Sequence, residues 1–242
     1  MLVLAASVDF SNPILWAILI GWILSVVLHE FGHGIVAYWG GDYTIAERGG
    51  LTLNPLQYID PVMSIILPAV FLLMGGIPLP GGVTYIRRDL IRSTAWNVAV
   101  SAAGPATNLI LFLAFALPLH PRIGWVDPIA GPANWNNLQL FCGAMAVLQM
   151  LAALLNLIPI PPLDGFQMIS PFLPVELRGK LAQPQVTMAL FVVLFLVMVN
   201  SPLPFRAMQH VFVRTLIALG FDPFSIAAVW DAYRVAMFGV TP

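Results

Sequence analysis

Residues 13–39 read PILWAILIGWILSVVLHEFGHGIVAYW. The run is apolar enough and long enough to cross a bilayer as one helix, which takes about 20 residues. Ionisable side chains inside such a helix are costly and point to function. Here His29, Glu30 and His33 fall within five positions, in a chain with only four histidines. Histidines four apart share a helical face with about 6 Å between them, a span that one metal ion bridges. Glu30 stands one residue round the helix, where it reaches a water on the metal without being a ligand. The pattern predicts His29 and His33 as metal ligands and Glu30 as the catalytic acid/base of a metal-dependent hydrolase.

The rest of the chain agrees with a membrane setting. Of 242 residues 60% are hydrophobic and 9% charged, against roughly a quarter charged in soluble proteins. Residues 94–118 and 138–158 are further spans, and 184–200 is near the lower limit of length. Residues 1–10 carry no basic n-region and no cleavage site, so the first helix is expected to stay in the mature protein. A net charge of −1 gives no ground for nucleic-acid binding. The single cysteine, Cys142, reads as a small core residue.

The expected fold is an all-α membrane protein, a polytopic helical bundle of about four to six transmembrane helices with a small membrane-associated β-hairpin. The hairpin is placed at 43–56, where residues alternate around Arg48-Gly49-Gly50. It would offer an edge strand to an unwound substrate. Residues 62–74 are apolar but short, bounded by Pro61 and Gly75-Gly76, and read as a re-entrant element. Residues 201–242 are ambiguous: Arg214 interrupts the apolar run 205–220, and that stretch reads as a sixth helix or an interfacial one. One domain is expected over 1–242, with a catalytic core at about 13–175 and C-terminal helices at 184–242. No pattern specifies an oligomeric state.

Zinc needs a third protein ligand and an open position. Glu47 is one option, although beside Arg48 it reads better as a surface ion pair. Asp164 is the stronger candidate, because the proline-rich segment 156–165, NLIPIPPLDG, follows the third span and returns to the membrane face where the first span ends. With four crossings, Arg48, Arg87, Arg88, Arg92, Arg178 and Lys180 share one side. The positive-inside rule makes that side cytoplasmic.

His29-Glu30-Phe31-Gly32-His33, the segment GPATN at 104–108, and Asn156 leading into PPLDG at 161–165 together resemble the site-2 protease family of intramembrane zinc metalloproteases. The segment 51–61, LTLNPLQYIDP, resembles its short prokaryotic members without a PDZ domain, and the 119–137 connection is too short to hold one. The resemblance runs over roughly residues 20–175. It implies one zinc held by His29, His33 and Asp164, Glu30 as acid/base, transmembrane protein substrates cut within the bilayer, and a prokaryotic cell membrane with the site toward the cytoplasm. Phe166 stands where that family often has a second glycine.

Asn97, Ser101, Gly104 and Asn108 fall on one face of the second span, and Gln149 and Asn156 on one face of the third. Asn97, Ser101 and Gln149 read as contacts between helices. Asn108 and Asn156, inside the family-like motifs, are candidates for holding a substrate backbone group or the oxyanion. The competing functions are a zinc transporter or metal sensor using the same ligands, and a catalytically silent scaffold. Glu30, placed for hydrolysis, and a single ligand cluster favour the hydrolase.

Overall fold

The structure is a computed structural model that describes residues 12–66, 69 and 81–239. Helix α1 (Pro13–Gly40) starts where the Asn12 side chain accepts the Ile14 N–H at 3.0 Å and Pro13 takes the first turn. It stops at Gly41, whose φ of 121° admits no side chain readily. Helix α3 (Thr94–Ala116) is capped by Ser93, and α4 (Asn137–Asn156) by a reciprocal pair between Asn136 and Gln139. These three are long and apolar enough to span a membrane.

Contacts fix their directions. Gly40 lies against Trp96, Gly32 against Ala103 and Thr107, and Gly21 against Phe141 and Met145. Helix α3 therefore runs antiparallel to α1, and α4 parallel to it. Around this trio the chain adds α2 (Thr44–Glu47), α5 (Asp164–Ile169), α6 (Val175–Leu181), α7 (Pro184–Asn200), α8 (Leu203–Ala218) and α9 (Pro223–Phe238). Helix α7 reaches spanning length only together with α6, across a 69° bend. The stretch 205–220, read as a sixth or interfacial helix, is helical over most of its length as α8, and α9 follows it, each of 16 residues. Helix α9 packs on α4 and buries Ile226, Val229, Ala232 and Met237.

The main apolar core lies at the end of the bundle far from the C-terminus of α1. It joins Leu15, Ile18, Phe112, Met145, Phe212 and their neighbours, with Cys142 among them as expected. A smaller cluster of Ala37, Ile45, Ile91 and Val100 closes the other end. The histidines sit between the two.

The β-hairpin expected at 43–56 does not form, and among the described residues there is no strand. Thr44–Glu47 is a helical turn that closes with Arg48 N–H on Thr44 O at 3.2 Å and Gly50 N–H on Ile45 O at 2.9 Å. The cause is Asp42, fully buried at the end of α1. Its carboxylate accepts from Thr44 Oγ1 at 2.5 Å, Arg48 Nη2 at 3.2 Å and the Arg87 N–H at 2.8 Å. Side-chain capture of local donors outcompetes a ladder. Beyond it, the Tyr58 hydroxyl donates to Thr52 O at 2.7 Å, which occupies the backbone group that an edge strand would offer. Of the re-entrant element expected at 62–74, residues 61–66 form a π-helical turn, and most of the remainder lies outside the described residues.

Candidate metal centre

The ligand candidates come from three elements. His29 and His33 lie on the inner face of α1, both buried, two to three turns before its end. Asp164 opens α5, delivered by the proline-rich turn after α4. Gly165 is held against the Leu157 and Ile158 carbonyls so closely that a Cβ there would collide with both. That contact folds the turn back under α4 and aims Asp164 at the histidines.

The three side chains converge. His29 Nε2 and His33 Nε2 are 3.1 Å apart, and each lies 3.2 Å from one Asp164 oxygen. Zinc bonds of about 2.0–2.1 Å place tetrahedral ligand atoms about 3.3 Å apart, so this triangle has the size of one face of a zinc polyhedron. Together the three residues form a group able to hold a metal ion.

The hydrogen bonds behind the rings decide which atoms face the centre. His33 Nδ1 lies 2.6 Å from the Val100 carbonyl, which only accepts, so Nδ1 carries the proton. For His29 a relay of four side chains sets the tautomer. The Ser25 hydroxyl donates to Gly21 O at 2.7 Å and therefore accepts from Gln149 Nε2 at 2.7 Å. Gln149 then turns Oε1 toward Asn108 Nδ2 at 2.7 Å, which leaves Asn108 Oδ1 to accept from His29 Nδ1. Both Nε2 atoms are thus bare lone pairs pointing at a carboxylate, and Asp164 Oδ2 is buried without a hydrogen-bond donor. Three acceptors in van der Waals contact suit a cation between them. The donor set of two imidazoles and a carboxylate suits zinc, and partners on the second ring nitrogen are the usual support for such ligands.

Gly104 explains how close the rings come to α3. A Cβ there would overlap Nε2 of both histidines. Glu30, also buried, lies one residue round α1 from His29, beneath residues 82–84. A Cβ on Gly82 would lie 3.0 Å from Glu30 Cγ, and Thr84 Oγ1 donates to Glu30 O at 3.2 Å. The rest of that segment is pinned by Val83 N–H on Tyr58 O at 3.0 Å and Ser64 Oγ on Gly81 O at 2.7 Å.

The structure therefore brings together His29, His33 and Asp164, with Glu30 on the adjoining face. It places Asn108 behind His29, with both ends of its amide engaged, and Asn156 half-buried at the end of α4. Glu47 is exposed at the end of α2, apart from the group, and the Arg48 guanidinium pairs with Asp42 instead. Sequence reasoning took Gln149 for a contact between helices and passed over Ser25 and Asp42. A glutamine and a serine inside two spans were the available signal.

Comparison with known proteins fits this centre. The model of peptidase family M50 matches residues 120–200. The protein named "Putative zinc metalloprotease YwhC" from Bacillus subtilis is 34% identical over 182 residues, covering 75% of this chain and 78% of that one. This chain belongs to peptidase family M50, the site-2 proteases. Two mycobacterial members named "Putative zinc metalloprotease Rip2" are also similar. The one from Mycolicibacterium smegmatis is 39% identical and the one from Mycobacterium tuberculosis 40%, each over 180 residues and 74% of this chain. The alignment spans 66% of the length of each. No solved structure matches this M50 chain.

Proposed function

We propose that this M50 chain is a zinc endopeptidase of the HExxH type that hydrolyses peptide bonds within or near the transmembrane segments of membrane-anchored proteins. The observation that carries the reading is the triangle of two bare Nε2 atoms and an undonated Asp164 carboxylate, with Glu30 one residue away on α1. Names of relatives that call them zinc metalloproteases support the choice of metal.

A zinc ion held by His29, His33 and Asp164 would polarise the scissile carbonyl and acidify a neighbouring water. Glu30 takes the proton of the attacking water and passes it to the leaving nitrogen. The pinned 82–84 segment limits how far its side chain can swing. Asn108 acts as a positioning residue, because its Oδ1 fixes the His29 tautomer and its Nδ2 is held by Gln149. The Asn156 side chain has no hydrogen-bond partner among the described residues, which leaves its amide able to hold a substrate backbone group. His33 lies seven residues from the end of α1, so the site sits about 10 Å inside that face. The arginine-rich side is the cytoplasmic one on this reading, and substrates reach the site from there.

The test is metal content and turnover of Glu30→Gln and Asp164→Ala. Glu30→Gln should keep about one zinc per chain and lose cleavage of a membrane-anchored substrate by at least about a hundredfold. Asp164→Ala should lose most of the zinc. A Glu30→Gln protein that still cleaves would sink the peptidase reading, and full zinc in Asp164→Ala would move the third ligand elsewhere.

A further inference from the structure

Below the metal centre, at the face where α1 ends and α3 begins, a cavity of about 620 Å³ opens between the start of α3, α5 and α6. The histidines, Glu30 and Asp164 do not line it. Two of its walls are cationic. Arg88 is half-buried and, among the described residues, has no carboxylate within ion-pair distance; its contact is Nη1 to Asn97 O at 3.5 Å. Burial lowers its pKa, partly offset by the charge of Asp164. Arg178, on α6, also lines the cavity. Asp89 also lines the space, but its carboxylate is occupied by Arg87 at 2.7 Å. Asn97 adds an acceptor: its Oδ1 is buried with no donor. An occupant that satisfies this wall presents an anionic group to the arginines and a hydroxyl or N–H to Asn97.

The surroundings narrow the class. Val175, which lines the cavity, and Phe172, next to the lining Pro171, are 74% and 71% exposed, and the chain continues through the bend into α7, which exposes Met188, Val192, Val193, Leu196 and Val197. An apolar rim at a membrane face beside a cationic pocket fits a molecule with a charged head and a hydrocarbon tail. We propose that this cavity seats the headgroup of an anionic phospholipid, its phosphate on Arg88 and Arg178 and a headgroup hydroxyl or N–H on Asn97. Its acyl chains lie over Phe172, Val175 and α7. The site depends on the membrane setting and not on peptidase activity.

The experiment is native mass spectrometry of the full chain exchanged into phosphatidylglycerol or phosphatidylcholine, with zinc content and thermal unfolding as checks on folding. Wild type should retain one phosphatidylglycerol per chain in preference to phosphatidylcholine. Arg88→Gln with Arg178→Gln should weaken that retention by about thirtyfold, the loss expected of two cationic contacts near a lipid surface. Gly179→Phe is a second variant that keeps both charges. Gly179 lines the cavity, and a Cβ there meets nothing within 4 Å, so a ring fills the space and should displace the lipid equally. Wild-type retention in either folded variant would overturn the proposal, as would equal retention of phosphatidylcholine. Displacement by inorganic phosphate would reassign the cavity to a free anion. Binding of an acidic peptide but not of phosphatidylglycerol would reassign it to the substrate.

Discussion

At the scale of single residues, the centre depends on a glycine and an amide as much as on its ligands. Gly104 is the point where both imidazoles touch α3, so even a methyl group there overlaps both Nε2 atoms. Gly104→Ala would normally favour a helix interior by up to about 1 kcal/mol. Here it should instead reduce zinc stoichiometry well below one per chain, measurable by elemental analysis of the purified protein. Near-normal zinc in that variant would mean that the rings do not rest on α3. Asn108→Ala removes the acceptor for His29 Nδ1–H, and loss of such a partner typically costs about 10–100-fold in metal affinity. Gln149→Leu acts one step further back and leaves the buried Asn108 Nδ2 without its acceptor, at roughly 1–3 kcal/mol. Competition with a chelator should rank the variants wild type, then Gln149→Leu, then Asn108→Ala. If Gln149→Leu matched wild type in both metal affinity and melting temperature, the relay from Ser25 to His29 would be irrelevant to the site.

Elements show where sequence was enough and where it was not. The spans α1, α3 and α4 were legible because a bilayer demands long uninterrupted apolar runs, and those runs are read directly. The grouping of His29, His33 and Asp164 was legible because the histidines are related by helical period and Asp164 by topology. The hairpin was not. Alternation around Arg48-Gly49-Gly50 is a local signal, and it lost to Asp42, whose buried carboxylate gathers Thr44, Arg48 and the Arg87 backbone from positions up to 45 residues away. The two helices after Ser201 were blurred for the opposite reason. Arg214 breaks the apolar run, but the burial of Phe212 and Leu216 against the core makes that stretch a helix anyway. Asp42→Ala tests the staple. It strands the donors of Thr44, Arg48 and Arg87 and should cost roughly 2–4 kcal/mol locally. Limited proteolysis should then cut within 43–58 faster than in wild type while zinc stays bound. Unchanged protection of that segment would show that Ile45 and Tyr58 hold it without Asp42.

Over the whole molecule, exposed apolar side chains and charged ends divide the surface. Trp16, Ile20 and Leu24 on α1, Ile110 and Leu113 on α3, and Val192, Val193 and Leu196 on α7 all face outward, a belt that water would not tolerate and lipid does. Arginines gather where α1 ends and α3 begins, and the 120–136 connection lies at the other end of α3. Those two ends should therefore lie on opposite sides of the membrane, with the arginine-rich one inside. Glu47 and Ile129 mark them, both exposed and neither part of the metal-centre group. In a Cys142→Ser background, Ile129→Cys should react with a membrane-impermeant thiol reagent on intact cells. Glu47→Cys should react only after the membrane is opened. The reverse pattern would invert the chain and put the opening toward the metal outside the cell. Labelling of both from one side would mean that α1, α3 and α4 do not each cross the bilayer, because residues 47 and 129 are separated by α3 alone among the spanning helices.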